Sequence, residues 1–202
     1  MRIRPALYLA LLSSTTLFAQ TAPTRDVRNG TLISKADPAA SFILDTAFHF
    51  AGAQTIDILK VAGAEQYFFI DAAPDHSIRR FYWLQFEHYY PSTSYTYDYS
   101  GMKQQPVQLG RIGFMGDVRT SPRYFTMDDR PGSDSKAAEN FLRARGYGLD
   151  GTFVTLRLFF LPDTTRRREL MIIYGEILPD SGIRIQTESA ITAHARAGIR
   201  VP

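Results

Sequence analysis

The chain has 202 residues, 45% of them apolar and 21% charged, with 23 basic against 20 acidic side chains. That balance supports a packed core and excludes a disordered chain and a collagen-like repeat. Cysteine is absent, which removes disulfides, thiolate nucleophiles, cysteine-held metals and a lipid-modified N-terminal cysteine.

Residues 1–19, MRIRPALYLALLSSTTLFA, have the layout of a secretory leader: Arg2 and Arg4, an apolar run, and small Ala19 as the expected cleavage point. The run is too short for a membrane span, which needs about 20 apolar residues, and no second candidate follows. The leader holds basic residues and no acid, so the remaining chain is nearly neutral. A nucleic-acid partner, which needs a clustered basic face, is therefore not expected. An exported, cysteine-free protein fits a bacterial periplasmic or secreted location best.

Residues 20–36 are small and polar and read as a flexible lead-in to a single domain over 37–202. The segment DPAASFILDTAFHFAG (37–52) reads as a helix, with Asp37 as cap, Pro38 at the first position and Gly52 at the far end. Its residues also alternate acceptably for a strand. QTIDILKV and EQYFFID predict a hairpin turning at Ala62-Gly63-Ala64, and RRFYWLQFEHYY a long aromatic strand. STSYTYDYSG predicts an edge strand with Tyr95, Tyr97 and Tyr99 on one side.

PVQLGRIGFMG reads as one strand weakened by Gly110 and Gly113, and RYFTM as a short one. PGSDSKAAENFLRARG predicts a helix capped by Ser133 or Asp134 and closed at Gly146. Two strands, GTFVTLRLFFL and RELMIIYGEIL, follow; GIRIQT suggests another, and ESAITAHARAG a short C-terminal helix. Runs of strands with few helices argue an α+β fold: a mostly antiparallel sheet, strongly curved or closed into a barrel, with about three helices. Neither a dinucleotide-binding glycine string nor a phosphate-cradling loop occurs.

The aromatic strand places Trp83, Gln85, Glu87 and Tyr89 on one side, polar groups set in an aromatic wall. In the later strand pair, Val154, Leu156, Leu158 and Phe160 form an apolar side, which predicts Met171, Ile173, Gly175 and Ile177 opposite them. That register brings Arg157 near Glu176 on the other face, beside Tyr174. The two charges are then either a structural ion pair or fixtures in a cavity. In the functional version, Trp83, Gln85, Glu87, Tyr89, Arg157, Tyr174 and Glu176 line one lumen.

Such a lumen suits a small apolar or amphipathic molecule, which makes the expected function an exported ligand-binding protein. Acid–base catalysis by Glu87 or Glu176 is the enzymatic alternative, with no catalytic residue assigned. An envelope protein partner meeting the tyrosine edge is the third. No cofactor and no metal site are expected: the four histidines show no zinc spacing, and no serine-hydrolase elbow occurs.

Overall fold

Alternation of apolar and polar residues over short runs dictates strands here, and eleven form, against two helices among the described residues. The computed structural model describes residues 22–102, 105–121, 130–178 and 188–202. The expected leader, the RYFTM and GIRIQT strands and the turn at 179–182 lie outside them. No described helix is long and apolar enough to cross a membrane.

The first three strands are β1 (Asp26–Arg28), β2 (Thr31–Ser34) and β3 (Ala40–Leu44). With the last strand, β11 (Ile199–Arg200), they make a small antiparallel sheet in the order β1-β2-β3-β11. Part of the expected lead-in is thus ordered, with Leu32 fully buried. The expected helix over 37–52 is corrected to β3 and the start of β4 (His49–Ile58). Period two wins because Ala40, Phe42 and Leu44 are buried together, and β3 finds hydrogen-bonding neighbours on both sides, β2 and β11.

The large sheet has seven antiparallel strands in the order β4-β5-β6-β10-β9-β8-β7. They are β4, β5 (Ala62–Ala72), β6 (Ile78–Tyr89), β7 (Gln105–Leu109), β8 (Ile112–Ser121), β9 (Phe153–Phe160) and β10 (Arg168–Ile177). Both sheets are open, with no closure into a barrel. The β4–β5 hairpin turns at Leu59 and Lys60, both at positive φ, where Val61 N–H donates to the Ile58 carbonyl at 2.9 Å. Ala62, Gly63 and Ala64 belong to β5 instead. PVQLGRIGFMG is two strands, β7 and β8, because the glycine at 110 sits at φ 54° and turns the chain.

Helix α1 (Asp134–Arg143) forms where its caps predict: the Ser133 side chain accepts from Lys136 N–H, and Gly146 at φ 81° ends it. Its buried face, Ala138, Phe141 and Leu142, packs on one side of the large sheet, with Phe141 stacked on Phe68 at 4.9 Å. Burial of each large apolar side chain there stabilises by roughly 1.5–3 kcal/mol. Helix α2 (Glu188–Gly198) and the small sheet cover the other side, where Ile191 and Phe42 join a second core. The central strands are therefore buried on both faces.

Two-sided burial explains a correction of register. Val154 stands opposite Glu176, Leu156 opposite Tyr174, Leu158 opposite Ile172 and Phe160 opposite Leu170, one residue from the expected alignment. Where neither face is wet, alternation does not say which side is which, and polar partners decide. Glu176 accepts from Tyr174 at 2.7 Å, lies 3.1 Å from His194 on α2 and faces Arg80 across the β6–β10 pair. Arg157 faces the opposite side of the sheet, so no Arg157–Glu176 pair exists.

At Gly175 the Phe81 ring lies over bare backbone, and a Cβ would overlap it. Gly175→Ala is expected to cost roughly 1–3 kcal/mol through overpacking, read from urea unfolding. A change within error would show that the ring moves aside freely.

Candidate functional site

On the α1-facing side of the large sheet, Glu87 of β6 and Glu169 of β10 stand directly opposite one another. Side chains so placed have Cβ atoms about 4.5–5.5 Å apart. Glu87 accepts from the Tyr97 hydroxyl at 2.6 Å and from Gln85 Nε2 at 2.7 Å. Glu169 is 5% exposed and bonds to the Tyr99 hydroxyl, while its Oε1 accepts no hydrogen bond among the described residues.

A row of amides leads to this pair. Gln54, Gln66 and Gln85 are cross-strand neighbours on β4, β5 and β6. Gln54 Nε2 donates to Gln66 Oε1 at 2.7 Å, Gln66 Nε2 to Gln85 Oε1 at 2.8 Å, and Gln85 then donates to Glu87. Every dipole points the same way, so each bond polarises the next toward the carboxylate. The first turn of α1 anchors the row: Gln66 donates to the Asp134 carbonyl at 3.2 Å, and Gln85 reaches the Asp134 carboxylate at 3.4 Å.

The tyrosine segment is corrected from an edge strand to an extended, unpaired stretch that folds back over this face. Tyr97 N–H is held by the Arg166 carbonyl at 2.8 Å. The rings form a continuous stack, Tyr89 on Tyr97 at 4.5 Å, Tyr97 on Tyr99 at 6.4 Å and Tyr99 on Phe159 at 4.5 Å. It runs from β6 across to β9 and lends two hydroxyls to the carboxyls.

Burial pushes both carboxyls well above the usual range; Glu87 raises Glu169 further, and Asp134 adds to both. Bonds from Tyr97 and Gln85 to Glu87, and from Tyr99 to Glu169, offset this in part. Burial and then the adjoining carboxylates push the Tyr97 and Tyr99 phenols far up, so both remain protonated donors.

A cleft of about 960 Å³ opens at this end of the strands on the opposite, small-sheet face, where Arg25, Glu65, Phe86, His88 and Arg168 line it; Glu87 and Glu169 border it through the chain, with their side chains on the α1 face; the volume lies in the range of small-molecule sites. Its cations are engaged. Arg25 bridges Glu65 at 3.0 Å and lies over the Phe86 ring, while Arg168 bridges Asp37 at 2.8 Å. Burial, then Arg168, lowers the His88 pKa.

Of the residues singled out in the sequence, Gln85, Glu87 and Tyr89 meet at the pair. Trp83 shares their face but is packed in the core at 1% exposure. Arg157 also shares the face, yet its guanidinium grips both oxygens of Asp117 at 2.8 and 2.6 Å. Tyr174 and Glu176 lie on the opposite face, so the seven residues do not surround one lumen. Sequence reasoning passed over Glu169, Tyr97 and Tyr99 as partners of Glu87. The signal available was parity, since Glu169 alternates in phase with apolar Met171 and Ile173.

No protein-family model, no curated protein and no solved structure matches this chain. The geometry of the site itself therefore carries the functional reading.

Proposed function

We propose that the protein is an exported small-molecule binding protein whose ligand occupies the strand-end cleft. The observation that carries this is a cleft of ligand size that sets the charged side chains of Arg25, Glu65 and Arg168 beside aromatic ones. Phe86 and Tyr89 supply apolar wall, which suits an amphipathic molecule.

The test is a thermal-shift panel of metabolites on the purified chain, followed by amide chemical-shift mapping of each hit. Binding should move the amides of residues 63–65, 86–90 and 167–169, and His88→Ala should weaken it about tenfold, equivalent to 1.4 kcal/mol, with an unchanged circular dichroism spectrum. Hits that map elsewhere and ignore His88→Ala would overturn the proposal.

The opposed carboxyls, both displaced above the ordinary range, favour a second reading, acid–base catalysis at the pair. A compound that is chemically converted by the parent protein and left unconverted by Glu87→Gln would establish it.

A further inference from the structure

We infer that Glu176 and His194 form a general-base dyad that hydrolyses a small neutral carboxylic ester in a second hollow, at the opposite end of β6 and β10 from the cleft. Glu176 is 6% exposed, and its Oε2 accepts from the Tyr174 hydroxyl at 2.7 Å. His194 of α2 brings Nδ1 within 3.3 and 3.1 Å of the two carboxyl oxygens, while its own side chain is 53% exposed. The hollow in front of it, about 810 Å³, is lined by Phe48, Asp71, Arg79, Arg80, Glu176 and His194 among others. Burial, then Glu176, pushes the Tyr174 phenol far up, so it stays a donor, and Arg80, bridged to Asp71 at 2.7 Å, bonds to its oxygen from the neighbouring strand. Helix α2 is docked closely beside the imidazole: the Tyr82 hydroxyl donates to the Ala195 carbonyl at 2.6 Å, and a Cβ on Gly198 would overlap that hydroxyl. The ring is thus positioned by packing as well as by Glu176.

A carboxylate only accepts, so the ring nitrogen beside it carries the hydrogen and the basic lone pair is left on Nε2. Among the described residues Nε2 bonds to nothing. No serine, threonine or cysteine lines the hollow among those residues, so the nucleophile is water. Nε2 takes a proton from that water as its oxygen attacks the acyl carbon. The bond from the acyl carbon to the alcohol oxygen then breaks, and the imidazolium hands its proton to the leaving oxygen, giving acid and alcohol. The Arg79 and Arg80 guanidiniums supply positive charge on the same wall for the oxyanion that forms in between. Asp45, Asp71 and Glu176 outnumber them there, which disfavours an anionic substrate and leaves a neutral ester.

Hydrolysis of 4-nitrophenyl acetate by the unaltered protein at pH 8 tests this, against free imidazole at the same concentration. The protein is expected to be the faster catalyst, and His194→Gln to lower its rate about a hundredfold, the lower end of what a general base contributes. Glu176→Gln, a change at the positioning residue, should lower kcat about tenfold with KM unchanged. Nitrogen-15 spectra of the His194 ring should show the hydrogen on Nδ1 in the parent and a mixture of tautomers in Glu176→Gln. His76→Gln, at an exposed ring elsewhere, should leave the rate as it is. A parent protein no faster than imidazole overturns the inference, as does a parent ring with its hydrogen on Nε2 or a rate that survives His194→Gln. The first two readouts use the parent alone and so decide the matter however the variants fold. None of these results bears on ligand binding in the strand-end cleft.

Discussion

Glu169→Gln is expected to raise the melting temperature at pH 8 by several degrees and to leave it nearly unchanged at pH 4.5. The folded-state pKa of this carboxyl lies above its unfolded value because burial, then Glu87, penalises its charge. A carboxyl displaced in that direction binds more protons folded than unfolded. Its contribution is fully present below the unfolded pKa, about 4.3, and is lost as pH rises through the folded value. Glutamine keeps an acceptor for Tyr99 but never ionises, so it escapes that loss.

A tenfold change in a protonation equilibrium is worth about 1.4 kcal/mol, and burial beside a second carboxyl changes this one by more than that, so a gain on the order of 2 kcal/mol is expected at pH 8. For a chain of this size that is roughly 4–8 °C. A stabilising substitution at a buried position is unusual, and it marks a site where stability has been given up for another purpose. Parallel melts of parent and variant at the two pH values check this. Identical pH profiles would mean that Glu169 is an ordinary, ionised carboxylate.

Asp117→Ala is expected to cost roughly 3 kcal/mol, at the lower end of what breaking a buried ion pair removes, and about 6–12 °C in melting temperature. Asp117 is nearly buried and accepts from Arg157 twice and from Arg119 at 2.9 Å. Its loss leaves the Arg157 guanidinium, with a side chain 16% exposed, on the sheet without an anion. Arg157→Met should cost less, because Arg119 still serves Asp117. Combining Asp117→Leu with Arg157→Met should recover most of the loss, since a packed apolar pair needs no counter-charge. Tolerance of Asp117→Ala within about 0.5 kcal/mol would contradict the structural role of Arg157 and leave its guanidinium free to meet a ligand.

The sequence shows α1 clearly because cap, stripe and terminating Gly146 agree, and β6 because an aromatic run of that length has few alternatives. It misleads at 37–52, where Asp37, Pro38 and Gly52 imitate helix caps. What decides there is pairing of β3 with β2 and with β11, more than 150 positions downstream, which no local pattern encodes. The same limit acts on the β9–β10 register. Alternation identifies a wet face only when one exists, and β10 is covered on both sides by α1 and by α2 with the small sheet.

The candidate site was half readable for a related reason. Glu87 stands out among aromatics, whereas its meaning comes from Glu169 across the sheet and from Tyr97 and Tyr99, which fold over it from a segment that pairs with no strand. Gln54, Gln66 and Gln85 look unrelated in the chain and form one row only after three strands align.

The carbon-13 carboxyl resonances of the glutamates, followed against pH, test the opposed carboxyl pair most directly. Glu87 and Glu169 are expected to titrate well above the remaining glutamates, and Glu87→Gln to lower the value of Glu169. Titration of all the glutamate carboxyls together, near the usual value, would contradict the existence of such a pair.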